Sequence, residues 1–263
     1  MFDKALKIPR LISDRNRLDR ARVLTEIGLN KLFFDRKPQS HKTIEFEKFL
    51  DALRQQHWSL VDFLKPGGEA ETAIQWARAR FAEVANQPLP FPSFYNADTT
   101  LALLTYGLVR DIRPRFVLET GVGYGITSAL VLRALEQNGF GELVSVDLPS
   151  LADPQGSCVG LVVPDYLKSR WSLHIGSSRT QLPRILARSP KIGVFISDSA
   201  NVYTLQRYEF KRIFPSIVNG GAALFNNISS KFQQFLNLLP DTKCFDIWQI
   251  DKPGCVTGLV VKS

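Results

Sequence analysis

The chain is poor in the residues that build several common kinds of site. Its 263 residues include three histidines, one methionine and three cysteines. Cys158, Cys244 and Cys255 are widely spaced and form no CxxC pair, which argues against a disulfide framework or a thiolate zinc site and suits a reducing interior. No run approaches the roughly 18–20 apolar residues of a membrane span. The opening "MFDKALKIPRLISDR" lacks the apolar stretch of a secretory signal. A soluble, cytoplasmic protein without membrane partners is therefore expected. Internal repeats and low-complexity tracts are also missing.

What is present is 44% hydrophobic and 22% charged residues, enough for one substantial core and too little charge for wholesale disorder. The formal net charge is +8, and residues 1–50 hold 12 Lys/Arg against 7 Asp/Glu, or +5 of that excess. A basic arm of this kind can meet nucleic acid, anionic lipid or a phosphorylated substrate, but interspersed acids suit a solvated helix face better.

The first 90 or so residues read as helical and polar. "RLDRARVLTEIGLNKLFF" and "TIEFEKFLDALRQQHWSLVDFL" space apolar residues at three- and four-residue intervals, and Glu69–Ala85 forms a further helix. The proline-rich "NQPLPFPSFYN" is read as a boundary, giving a helical extension over 1–90 and a second unit over 91–263. Beyond it, "TTLALLTYGLVRDI" reads as a helix, followed by strands "RFVLET", "ELVSVDL", "WSLHIG", "IGVFIS", "AALFNN", "CFDIWQI" and "VTGLVV". Helical runs follow several of the first five, predicting an α/β parallel sheet covered on both faces. The last two strands have no helix between them and predict an antiparallel hairpin.

The stretch "VLETGVGYGITSALVL" is then a strand, a glycine turn and a helix. Such turns lie beyond the carboxyl ends of strands, where α/β sheets bind ligands. Gly121, Gly123 and Gly125 alternate, whereas the dinucleotide fingerprint GxGxxG needs a glycine at 126, which is Ile. Glu119 before the turn would repel a pyrophosphate and suit a cationic ligand. S-adenosylmethionine is one, with an ammonium, a sulfonium and no phosphate.

The pattern ExGxGxG, with Asp147 ending the next strand, resembles motif I and the ribose-binding acid of class I S-adenosylmethionine-dependent methyltransferases. "FISDSANVY", "FPSIVNGGAALFNN" and "SSKFQQFL" extend the resemblance to roughly residues 95–263. It implies a Rossmann-like seven-stranded methyltransferase sheet with its last strand antiparallel, and S-adenosylmethionine as cofactor. By the resemblance, Glu119 orients the methionine end, Gly121, Gly123 and Gly125 let the backbone approach, and Asp147 takes the ribose. Ser177, where many relatives carry an acid near the adenine, is read as an adenine contact or a helix cap.

The sequence departs from the subgroup's pattern at the transfer site. Asp198 and Tyr203 are retained as catalytic candidates. Ser197 and Asn201 replace two histidines, and Asn226 and Asn227 replace paired acids, leaving Asn201, Asn226 and Asn227 as acceptor-site residues. One carboxylate with amides is a poor cage for a hard cation, so a divalent metal on Asp198, Asn226 and Asn227 is not expected. His174, within a strand, is read as structural. Aligning acceptor and methyl can supply much of the acceleration without a strong base.

The expected activity is O-methylation of a small-molecule or sugar-containing acceptor. The rivals are a cofactor-binding or regulatory protein on the same scaffold, and a nucleic-acid methyltransferase, for which the proline motif after the fourth strand is missing. The N-terminal helices are expected to cover the cofactor's mouth or to make a homodimer contact.

Overall fold

A computed structural model describes residues 7–33, 43–86, 88–90, 92, 96–150 and 152–263, with side chains of the first helix described from Arg17 to Leu32. His41 and part of the proline-rich stretch lie outside the described residues.

Seven strands form one sheet in the order β3-β2-β1-β4-β5-β7-β6. They are β1 (Phe116–Thr120), β2 (Glu142–Asp147), β3 (Trp171–Ile175), β4 (Ile192–Ser197), β5 (Ile217–Phe225), β6 (Thr242–Trp248) and β7 (Val256–Lys262). β1 to β5 run parallel, and β7 enters antiparallel between β5 and β6. The chain reverses at β1, with β2 and β3 on one side and β4 and β5 on the other. That places a crevice beyond the carboxyl ends of β1 and β4, where ligands bind in open α/β sheets.

The helices are α1 (Lys7–Phe33), α2 (Phe46–Gln55), α3 (Leu60–Leu64), α4 (Glu69–Val84), α5 (Thr99–Ile112), α6 (Ile126–Asn138), α7 (Ser178–Leu186), α8 (Tyr203–Ile213) and α9 (Ser230–Leu236). Two cores sandwich the sheet. One joins α5 and α6 to β1, β4 and β5 through residues such as Leu104, Leu130 and Val194. The other packs α7, α8 and α9 through Leu182, Phe210 and Phe232.

α5 is buried without interruption from Thr100 to Val109 because it is covered twice, by the sheet on one side and by α3 and α4 on the other. That explains its apolar sequence on every face. Phe49, Leu53, Leu60 and Ala77 belong to the same cluster as α5 and α6, so the helices between 46 and 84 share the core of the sheet. Ile44 also bridges to Ile247 in parallel, occupying the exposed edge of β6.

The single helix expected over 43–64 is two. Its break is a C-terminal turn in which His57 takes φ 54°. The Trp58 N–H donates to the Leu53 carbonyl and the His57 N–H to that of Arg54, the paired bonds of a Schellman motif built without glycine.

Candidate active site

The glycine turn places its backbone between two strands. Gly121 has φ 85°, and a Cβ there would lie 2.1 Å from the Asp198 carbonyl oxygen after β4. Only glycine lets the turns after β1 and β4 meet this closely. Gly125 precedes α6 with φ 91°, and a Cβ would meet Gly160 at 2.7 Å. Its role is packing against the loop after β2.

A cavity of about 760 Å³ opens beyond these turns, within the size range of small-molecule and cofactor sites. It brings together Gly121, Gly123, Asp147, Ser177, Asp198, Asn201, Asn226 and Asn227 on one wall system. Val23 and Ile27 of α1 close part of it. Glu119, Gly125 and Tyr203 are not on its walls.

At one end, the Gly123 N–H donates to Asp147 at 3.1 Å, and burial raises the Asp147 pKa to about 6 against the opposing backbone N–H groups of Gly123, Val122 and Leu148. At neutral pH this carboxylate is ionised and can accept from a vicinal diol. Ser177 is the N-cap residue of α7, yet its hydroxyl makes no cap bond and donates to Asp19 of α1 at 2.8 Å.

At the other end, the Asn226 amide donates to Asp198 Oδ1 at 2.6 Å and the Asn201 amide to the same oxygen at 3.4 Å. Both described bonds thus fall on Oδ1, leaving Oδ2 for a ligand. Burial raises the Asp198 pKa to about 6, and the amide hydrogen bonds oppose it. The Asn226 oxygen accepts from Gln249 at 2.5 Å. The side-chain oxygens of Asn201 and Asn227 are buried without a partner, both on residues with positive φ of 51° and 48°. These acceptors are left to pair with a water or a bound molecule.

Among the described residues no group of three or more His, Cys, Asp or Glu is placed to hold a metal ion. The donors at this end amount to one carboxylate oxygen and two neutral amide oxygens, since the Asn226 oxygen is spent on Gln249. That set does not match the charge a tightly held Mg²⁺ requires.

Two expectations need correction. Glu119 alternates away from the cavity and is fully buried between β1, β2 and α6. Ser128 and Ser145 each donate to its Oε2 at 2.6 Å. Burial pushes its pKa up to about 8, so at neutral pH it is mostly uncharged and presents no anion to a ligand. Tyr203 turns toward α9, its ring 6.4 Å from that of Phe232, with the Lys231 ammonium 5.4 Å from its centroid. His174 lies on β3, half-buried and off the cavity wall.

Lys252, Arg179 and the individual α1 contacts carry no signal in the local sequence. Lys252 and Arg179 line the cavity, and α1 is fastened over it. Arg20 donates to the Pro149 and Pro154 carbonyls at 2.9 and 3.2 Å, Glu26 pairs with Arg179 at 2.8 Å, and Asn30 donates to Thr204 at 2.8 Å. No local motif marks these contacts, since each spans more than 120 residues of chain. Glu209 carries no such signal either. Fully buried, it accepts from Thr120, Ser197 and Ser199, tying the ends of β1 and β4 to α8.

The strand order, the antiparallel β7 and the glycine turn after β1 define the class I methyltransferase fold. Residues 118–228, less than half of the chain, match the model of a family described as a methyltransferase domain. By this segment and by its fold the chain is methyltransferase-like.

Solved structures carry the same likeness across most of the chain. The O-methyltransferase TomG from Streptomyces achromogenes, involved in tomaymycin synthesis and solved with S-adenosylmethionine, is 17% identical with a TM-score of 0.54. The match covers 80% of this chain and 98% of that one. An O-methyltransferase from Bacillus cereus, solved with S-adenosylhomocysteine, is 17% identical with a TM-score of 0.53, covering 79% and 99%. A methyltransferase from Geobacter sulfurreducens is 16% identical with a TM-score of 0.52, covering 87% and 98%. At these identities the likeness is one of fold. No curated protein matches the sequence. No helix among the described residues is long and apolar enough to cross a membrane.

Proposed function

We propose that the protein is an S-adenosylmethionine-dependent methyltransferase acting on an oxygen of a small molecule. The observation that carries this reading is one cavity that joins the glycine turn and Asp147 at one end to Asp198 and its asparagines at the other. A cofactor-binding protein without turnover would not need the second end.

The residues present fit the cofactor. Gly121 and Gly123 bring backbone to the wall, Asp147 offers acceptor oxygens to the ribose, and Leu148, Val159, Gly176 and Ser177 frame the space beyond β2 and β3 for the adenine. Bound there, S-adenosylmethionine would supply a methyl group on sulfonium for transfer to an acceptor oxygen. Glu119 acts at a distance from the ligand, fixing β1, β2 and α6 beneath the turn. Asp198, held through Oδ1, receives the acceptor's proton at Oδ2. Asn201 and Asn227 accept hydrogen bonds from the acceptor's other donors. α1 acts as the lid of the cavity and excludes water from it.

Calorimetric titration with S-adenosylhomocysteine tests the reading. The wild type should bind, and Asp147→Ala should lose roughly ten- to hundredfold in affinity, as expected for about 1.5–3 kcal/mol from a charged hydrogen-bond pair. No binding by the wild type, or equal binding by the variant, contradicts it.

A further inference from the structure

The acceptor end contains a cation that the methyltransferase reading does not yet use. Lys252 stands in the β6–β7 hairpin and lines the cavity together with Asp198, Asn226 and Asn227. Its place is fixed on both sides. Asp251 accepts from the backbone N–H and the hydroxyl of Thr99 at the start of α5 and pairs with Arg78 at 3.2 Å. The Ile250 N–H donates to Thr100 at 2.9 Å, and Gln249 is buried against Asn226 and Thr257. A hairpin tied down at 249, 250 and 251 presents residue 252 to the cavity on a rigid support.

The charge of Lys252 is only partly answered. Its ammonium donates to the Asn96 carbonyl at 3.2 Å, a neutral acceptor. Among the described residues no carboxylate lies within 4.0 Å of it. It is nevertheless near enough to act on two acids. Burial raises the pKa of both Asp98 and Asp198, and the charge of Lys252 opposes that rise in each. Asp98 is itself occupied as the N-cap of α5, accepting from the Thr100 and Leu101 N–H groups. Lys252 and Asp198 thus face one cavity without forming an ion pair, close enough for the ammonium to act on the carboxylate.

We infer that Lys252 is the oxyanion-holding group of the acceptor pocket, and that the acceptor is an oxygen acid, a hydroxyl of phenol or enol type, bound as its oxyanion. This rests on the methyltransferase reading of the cavity. The acceptor O–H gives its proton to Asp198 Oδ2, the oxygen keeps the electron pair, and the Lys252 ammonium neutralises the charge that develops there. A fixed cation does this without reorganising at the moment of reaction. It supplies the charge that the one-carboxylate, two-amide donor set cannot recruit from a metal ion.

The test uses 4-nitrophenol, whose ionisation is read from its absorbance, and needs no knowledge of the true acceptor. The full-length protein is titrated with the probe across pH, with and without saturating S-adenosylhomocysteine, as wild type, Lys252→Met and Lys252→Arg. The wild type should bind the phenolate at least tenfold tighter than the phenol, so that the bound probe ionises at least one pH unit below its value in buffer. Lys252→Met should abolish that preference, and Lys252→Arg should retain part of it. All three proteins should bind S-adenosylhomocysteine equally, which shows that the variants are folded. No phenolate preference in the wild type, no binding of the probe, or an unchanged preference in Lys252→Met overturns the inference. Failure of the wild type to bind S-adenosylhomocysteine overturns the transferase reading instead, while the cofactor-free titration still decides the role of Lys252.

Discussion

Single residues show where sequence pattern and side-chain direction part company. The acid before the glycine turn is visible in the sequence, and so is its strand. Which face of the strand it takes depends on hydroxyls far away, Ser128 in α6 and Ser145 in β2, and no local rule announces them. The outcome is a buried carboxyl whose pKa is raised to about 8, mainly by burial. The consequence for stability has a definite sign. Between about pH 4.5 and 8 the unfolded chain loses this proton while the folded chain keeps it, so the group makes folding less favourable as pH rises through that window. Glu119→Gln, which cannot ionise, should gain stability relative to the wild type between pH 4 and pH 9, by on the order of several kcal/mol at ~1.4 kcal/mol per unit of raised pKa. Urea unfolding at both pH values measures it. A variant that gains nothing between them would show that Glu119 works as a charged group.

At the scale of elements, the sheet was legible because its strands are short, apolar and bounded by turn residues. α5 was legible to its last residue, from "TTLALLTYGLVRDI". The break between α2 and α3 was not, because His57 adopts the left-handed conformation without a glycine to signal it. A covering role for the N-terminal helices was expected, but the contacts that hold α1 over the cavity were hidden. Its inward residues Asp19, Arg20, Val23, Glu26 and Ile27 mix charge with apolar groups, since they meet backbone carbonyls, a hydroxyl and an arginine as well as the cavity. If α1 is a lid, loosening it should speed exchange of the cofactor. Glu26→Gln removes the pair with Arg179, in which both side chains are only 17% exposed. The dissociation rate of S-adenosylhomocysteine should rise several-fold, up to about tenfold for ~1.4 kcal/mol, in stopped-flow displacement. An unchanged rate would mean that α1 does not govern access.

The whole molecule joins a core spanning the sheet and the helices between 46 and 84 to a cavity with two chemically distinct ends. The prolines near residue 90 suggest a boundary there. Packing does not divide there, since Phe49 and Leu53 lie in one cluster with Leu104 and Val194. Gly121, Gly123 and Asp147, which line the end proposed for the cofactor, stand out in the sequence because a turn and a strand-end acid are local features. The end proposed for the acceptor stands out only in part. Asp198, Asn201, Asn226 and Asn227 follow strands, whereas Lys252 comes from a hairpin whose position depends on α5. The central claim is that the ribose lies on Asp147 and the sulfur faces Asp198 and Lys252. A crystal structure with S-adenosylhomocysteine tests it most directly. The account predicts both ribose hydroxyls within hydrogen-bond distance of the Asp147 carboxylate, with the sulfur opening toward Asp198, Asn227 and Lys252. A cofactor that binds outside this cavity, or leaves Asp147 without a ribose contact, contradicts it.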